Sequence, residues 1–392
     1  MLAIRAARMF DGFGLRDRPL VLVDGGRIVD VDLTGARPPD GYRLIDLAGA
    51  TLLPGLIDTH MHLVFDASTD PPGHLDSVDD ESLYEEAQVA ARRALNAGVT
   101  CVRDLGDRSY LGVRLRAETA TRPELTPDVV PAGPPITVHS GHCWFLGGAT
   151  SGVDGVRQAV REHAERGAAV IKVMVTGGRM TNTSAVDACQ FTDEELRAAA
   201  DEAHRLGLPI TGHAHGRDGI VAAMAAGFDG VEHASFLTQR GLEPDPRVID
   251  GLAAAGVFVS TSIPGTVPGV PLPPLIAAVL PQGHALMRSM IDAGVRIVIG
   301  PDAGIAPHKP HHVLPYAIAD NAELMGNANA LAAATYHAAA ACHLADRKGR
   351  LAPGFDADIL AVDGDPVADI DALHRLVAVF HRGARVEVAQ DR

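Results

Sequence analysis

Six residues of this chain have the side-chain types that hold metal ions: His60, His62, Lys172, His213, His233 and Asp302. The first two close LIDTHMHL (56–63), an apolar run behind Pro54-Gly55 with no helical period, which reads as a buried strand. Side chains two residues apart on a strand share a face, so two imidazoles project together and need hydrogen-bond partners or a metal. Lys172 lies inside AVIKVMVT, where an ammonium is costly unless paired or chemically altered. The altered form is a carbamate on Nζ made with carbon dioxide, a carboxylate able to bridge two metals. His213 competes with His215 in GHAHG, since both lie on one face; His213, the earlier and deeper, is taken as the ligand and His215 as its hydrogen-bonding neighbour. His233 sits beside Glu232, whose side chain should point the other way and serve structure. Asp302, in IGPDAG, would by itself suit a helix cap. As a set, imidazoles and carboxylates suit a pair of zinc ions, with manganese or cobalt as substitutes, and such a pair delivers hydroxide near neutral pH.

The elements that must position these residues follow a rhythm: a helical segment ends in Gly and an apolar, β-rich run begins at once. It recurs at NAG-VTCVRDLG (96–106), ERG-AAVIKVMVTGG (165–178), RLG-LPITGHAHG (205–216), AAG-FDGVEHAS (225–235), AAG-VFVSTSI (254–263) and DAG-VRIVIGPDAG (292–304). Helices are expected at 81–98 and 192–207, the second opening with Thr192 and Glu195 in capping-box spacing. With the strand near 56–62 and PDVVPAG (127–133), eight strands alternate with helices, the pattern of an α/β (β/α)8 TIM-like barrel over 51–345. An open doubly wound sheet is the rival, but no G-x-G-x-x-G follows the first strand. Residues 1–50 and 346–392 carry short alternating strands, with a hairpin marked by Asp24-Gly25-Gly26. Neither flank has strands enough for its own core, so both are expected to form one small β-sandwich domain. In a barrel of this kind function sits at the C-terminal strand ends, where five of the strands place the six residues named.

The net charge of −15 disfavours nucleic acid or an anionic membrane as partner. Four scattered cysteines favour a reducing compartment, and no apolar run reaches membrane-spanning length, so a cytoplasmic homo-oligomer acting on a small molecule is expected.

With TLLPGLIDTHMHL, Lys172, GHAHG, GVEHAS, GPDAG and DRKGRLAPGFDADILAVDGDP in place, the chain resembles the two-metal branch of the amidohydrolase superfamily over nearly its whole length. The spacings 213 − 172 = 41 and 233 − 213 = 20 are similar to those of its imidazolonepropionase-related, prolidase-like members. The resemblance implies His60 and His62 on one zinc and His213 and His233 on the other. Lys172, as N6-carboxylysine, and a hydroxide would bridge them, with Asp302 on the first metal. It further implies cleavage of a dipeptide or N-acyl amino acid by that hydroxide, Asp302 moving the proton to the leaving nitrogen. A lactonase or phosphotriesterase on the same metals is the alternative; a one-metal deaminase is disfavoured by Lys172, and a scaffold that has lost its chemistry ranks last. The loop TVHSGHCWFLGG (137–148) resembles the one such relatives use at the substrate: His142 is expected at the substrate carbonyl, with His139 and Trp144 as wall. Arg179, where the family usually has a small apolar residue, is a candidate for a substrate carboxylate. GIAPHKPHHVLPY brings His308, Lys309, His311 and His312, read as a lid, a carboxylate site or a solvated loop.

Overall fold

The computed structural model describes residues 1–261 and 265–387. It opens with strands β1 (Leu2–Phe10), β2 (Leu15–Asp17), β3 (Leu20–Asp24), β4 (Arg27–Asp32) and β5 (Arg43–Pro54). The expected hairpin joins β3 to β4: Asp24 pairs with Arg27, and Gly25 and Gly26 have φ of 55° and 78°, the turn whose twist matches that of paired strands.

Eight parallel strands follow, all at the expected places. They are β6 (Leu56–Met61), β7 (Val99–Asp104), β8 (Asp128–Pro131), β9 (Ile171–Met174), β10 (Ile210–Ala214), β11 (Gly230–His233), β14 (Phe258–Thr261) and β15 (Arg296–Ile299). A short antiparallel hairpin of β12 (Leu237–Thr238) and β13 (Gly241–Leu242), which the sequence pattern did not announce, intervenes. Ser262 and Ile263 of the seventh expected strand lie outside the described residues. Helices α1 (Pro71–Ser77), α2 (Asp80–Asn96), α3 (Leu111–Thr119), α4 (Val153–Arg166), α5 (Asp193–Arg205), α6 (Arg217–Ala225), α7 (Pro246–Ala255) and α8 (Pro274–Asp292) connect the strands. Three more helices fill Leu314–Ala341. The six glycines expected to close helices, from Gly98 to Gly294, all have φ between 66° and 92°, and the Thr192–Glu195 capping box forms in full.

The eight strands hydrogen-bond as a three-stranded sheet, β6-β7-β8, and a five-stranded sheet, β9-β10-β11-β14-β15. Where the sheets meet, Ile136 donates to Lys172 O and accepts from Met174 N, both at 2.8 Å, and His62 N donates to Ala303 O at 2.9 Å. The architecture is thus α/β with parallel sheets.

The termini do join each other, through β16 (Ile359–Asp363), β17 (Leu376–His381) and β18 (Ala384–Arg385). They do so as one continuous hydrogen-bonded ladder, β18-β17-β16-β5-β1-β3-β4 with β2 on β1. The cause is the length of β5, twelve residues: it pairs with β1 in parallel between Arg43 and Leu52 and, on its other edge, with β16 antiparallel over Ala50–Pro54, so the ladder never breaks. Val388 of the expected last strand lies outside the described residues.

Charge ties this sheet to the parallel strands. Lys348 Nζ sits among Asp128 (2.6 Å), Asp356 (3.2 Å) and Asp358, while Arg347 reaches Asp356 at 2.8 Å and Arg382 reaches Asp128 at 2.6 Å. Asp128, Asp358 and His381 form a buried triad with cation-ligand character, but the Lys348 ammonium already supplies the positive charge there.

Candidate metal and substrate site

The six expected ligands line one cavity of about 310 Å³. β6 presents His60, and His62 follows its last residue; β9 presents Lys172, β10 His213 and β11 His233, while Asp302 stands three residues beyond β15. His233 and Asp302 hold left-handed backbone, φ 69° and 64°, where non-glycine residues are strained; here that conformation turns each side chain at a strand end.

Hydrogen bonds set the imidazole tautomers. His62 Nδ1 is 3.1 Å from Gly106 O and His213 Nε2 is 3.1 Å from Gly177 O, so each carries its proton on that side. The opposite nitrogens therefore carry lone pairs: His62 Nε2 lies 3.3 Å from Asp302 Oδ1, and His213 Nδ1 accepts from His233 Nε2 at 3.0 Å. His60 Nε2 is 3.4 Å from the same Asp302 oxygen. A lone pair facing a carboxylate oxygen is repulsive unless a cation or proton stands between them, so the donor set fits a metal. Two overlapping triads, His213–His215–His233 and His60–His233–Asp302, have ligand atoms within 4.8 Å of one another. Lys172 Nζ is buried with no hydrogen-bond partner among the described residues, which fits an amine awaiting chemical modification.

Electrostatics favour the ligand forms. Burial, and then the charge of Lys172, pushes His60 and His142 down to about 4; burial and neighbouring imidazoles hold His213 and His233 well below the ordinary range. Burial pushes Lys172 down to about 8, leaving a fraction of free amine at neutral pH. For Asp302, burial pushes upward, but His60, Lys309 and His62 outweigh it and keep the carboxylate ionised.

Glu232 is indeed turned away from the cavity, and it braces the ligands from behind. It accepts from Arg103 Nη2 (2.9 Å) and Thr211 Oγ1 (2.5 Å), and its Oε2 lies 2.9 Å from His60 Nδ1. His142 reaches the cavity, its ring centroid 4.6 Å from that of His213 and its buried Nδ1 without a partner among the described residues. Its backbone N donates to Gln190 Oε1 at 2.7 Å, and its ring lies over Gly178, where a Cβ would come within 2.3 Å of Nε2.

The structure does not bring His139 and Trp144 to the cavity: His139 is exposed, Trp144 is 50% exposed, and neither lines it. The reason is the loop backbone. Ser140 and Cys143 have φ of 58° and 54°, and a 3-10 turn follows at Trp144–Leu146, so strand alternation no longer sets side-chain direction and Cys143 faces inward instead. Arg179 does line the cavity, at its exposed rim. His308 and Lys309 line it too and are buried, and His311 Nε2 lies 3.1 Å from His62 O, so this loop is packed on the site. Sequence reasoning missed Arg103, Gln190 and the apolar face of α8, where Val279, Leu280, Met287 and Met290 wall the cavity. Arg103 was findable, as a charge that with its neighbour Asp104 ends an otherwise uncharged strand.

Residues 51–386 match the model of the amidohydrolase family. Over 95% of its length the chain is 27% identical to ochratoxinase from Aspergillus niger, covering 82% of that protein. It is 28% identical to imidazolonepropionase from Paracoccus denitrificans, over 90% of this chain and 89% of that one. Among solved structures, a Xaa-Pro dipeptidase with methionine bound in its active site superposes with a TM-score of 0.86 at 27% identity, over 98% of this chain and 99% of the other.

Proposed function

The chain belongs to the amidohydrolase family and is a hydrolase of carbon–nitrogen bonds, and on that premise we propose that it cleaves the amide of a dipeptide or N-acyl amino acid. The observation that supports the metal-dependent form of this reading is the His60 and His62 Nε2 atoms turned toward one Asp302 carboxylate oxygen, beside a buried Lys172 amine that has no hydrogen-bond partner among the described residues. His60, His62 and Asp302 would hold one divalent ion and His213 and His233 the other, with Lys172 as N6-carboxylysine between them and zinc the first choice. When bound, such a pair supplies an activated water and a Lewis acid for the carbonyl oxygen.

The chain's own residues do the rest. Asp302, ionised and strained into the cavity, takes the proton from the attacking water and hands it to the leaving nitrogen. His142, a neutral imidazole with a free ring nitrogen, hydrogen-bonds the carbonyl oxygen as charge develops there. Gly106 O and Gly177 O keep His62 and His213 in the tautomer that leaves the ligand nitrogen bare. The apolar face of α8 accommodates a bulky acyl or side-chain group, while Arg179, exposed at the rim, adds positive charge that draws an anionic substrate toward the cavity. Around this site the eight strands close as a (β/α)8 barrel over 51–345, with 1–50 and 346–392 as the second domain; the contacts of Ile136 and His62 across the two seams support closure.

Metal analysis of protein purified without chelator, joined to a panel of dipeptides, N-acyl amino acids, lactones and phosphotriesters, tests this. About two metals per chain and turnover of the amides are expected. One metal or none after zinc and bicarbonate refutes the binuclear reading, and faster turnover of lactones or phosphotriesters replaces the amide.

A further inference from the structure

Lys309 is a buried cation whose charge the protein itself does not fully answer. Its side chain is 9% exposed and lines the cavity, and the carboxylate nearest to it, Asp302 Oδ2, is 3.6 Å away, too far for a good hydrogen bond. The other oxygen of Asp302 already faces His60 and His62 at 3.4 and 3.3 Å. Three donor positions on an ammonium buried this deeply need acceptors.

The loop that carries Lys309 is fixed in place. Gly304 N donates to Lys309 O at 2.7 Å, Lys309 N donates to Ala306 O at 2.8 Å, and Ala67 N donates to Gly304 O at 2.7 Å. Gly304 has φ of 100°, and a Cβ there would come within 2.3 Å of His62 O, so only glycine lets the loop lie this close to the ligand strand. Lys309 thus arrives pre-positioned, with no loop to order on binding. Arg179 lines the same cavity, and both cations act on the half-buried His215 imidazole.

We infer that Lys309 is the anion anchor of the substrate site, its ammonium binding the substrate's carboxylate while the apolar face of α8 takes the adjoining side chain. This rests on the amide-hydrolase reading above and deepens it: the preferred substrates are amides of amino acids with a free carboxylate and a large apolar group. A carboxylate placed there gains a charge-assisted hydrogen bond in a cavity with a largely apolar lining, enough for a preference of about tenfold or more over a neutral analogue.

Calorimetric binding to zinc-loaded protein decides it, with 2-benzyl-4-oxopentanoic acid, the uncleavable ketomethylene analogue of N-acetylphenylalanine, and its neutral carboxamide as probes on wild type, Lys309→Met, Lys309→Gln and Lys309→Arg. Wild type should prefer the carboxylate by about tenfold or more, the preference should collapse in the Met and Gln variants, and Arg should restore part of it. If Lys309→Met does not fold, Gln against Arg carries the comparison. The anchor is overturned if wild type does not prefer the carboxylate. It is overturned equally if the preference survives in the neutral variants, as when metals or Arg179 hold the carboxylate, or if both probes weaken in parallel, as when Lys309 acts only through Asp302. A lost preference in these variants without turnover of any amide would sink the hydrolase reading and leave the anchor. Amide turnover with an unaltered preference would sink the anchor alone.

Discussion

Replacing Arg103 by Met should expose how strongly the site depends on a charge pair behind it. Arg103 is 3% exposed and Glu232 fully buried; Nη2 reaches Glu232 Oε1 at 2.9 Å, Nε reaches Thr59 O at 2.6 Å and Nη1 reaches Ala341 O at 3.3 Å. Burial pushes the Glu232 carboxyl up, but Arg103 first and His60 next bring it well below the ordinary range, so the carboxylate is charged and needs that partner. Breaking a buried pair by removing one member costs about 3–5 kcal/mol, because the other charge stays behind. Two carbonyls losing a donor add roughly 1 kcal/mol each at most, with poor additivity. We therefore expect Arg103→Met to lose about 4 kcal/mol, a large share of the roughly 5–15 kcal/mol of an ordinary domain. The assay is urea denaturation of wild type, Arg103→Met, Glu232→Gln and the double variant. The double variant should be more stable than the sum of the two single losses by about 2 kcal/mol, since it leaves no orphan charge. Glu232→Gln should in addition weaken metal retention by about 10–100-fold through His60. A loss below about 1 kcal/mol in Arg103→Met, or strict additivity, would refute the reasoning.

Lys172→Ala should lose most activity and bridging-metal content and regain part of both when a short carboxylic acid is supplied; full activity without rescue would make the lysine a core residue only. Asp302→Asn should keep the fold and much of its metal yet lose orders of magnitude in kcat, measured at saturating substrate, because an amide cannot carry the proton. Asp107 tests pH dependence. Burial pushes its carboxyl up to about 7 against the amide hydrogen bonds at Gly112, Tyr110 and Leu111, with Asp104 buried alongside. A folded pKa above the unfolded value stabilises fully below about 4, and that stabilisation is lost as pH rises through about 7. Wild type should therefore lose at least about 1 kcal/mol relative to Asp107→Asn between pH 4 and 8, read from denaturation midpoints; parallel pH profiles would count against a raised Asp107.

Much of the molecule was legible in local pattern. Helix-closing glycines followed by apolar runs located six of the parallel strands, and the runs near 56–62 and 127–133 the other two, because helix closure and strand burial are decided within a few residues. The Asp24-Gly25-Gly26 turn and the Thr192–Glu195 cap are likewise chemistry between near neighbours. Strand alternation alone put His60 and His62 on one face and sent Glu232 to the other.

What only the tertiary structure decided lies between distant segments or within loops. The partner of Glu232 is Arg103, 129 residues away on another strand, and nothing in either strand's pattern names the other. That β5 would serve two neighbours, making one terminal sheet, depended on the course of the chain around it. In the loop after β8, left-handed residues reverse side-chain direction, so His142 and Cys143 enter the cavity while His139 and Trp144 leave it. Lys309 became a buried cavity cation because the Gly304 turn seats its loop against His62. Sequence by itself determined which side chains carry chemistry and which strands end with them. The fold decided which of them meet, since burial, tautomer and unpaired charge are properties of contacts that periodicity along the chain does not encode.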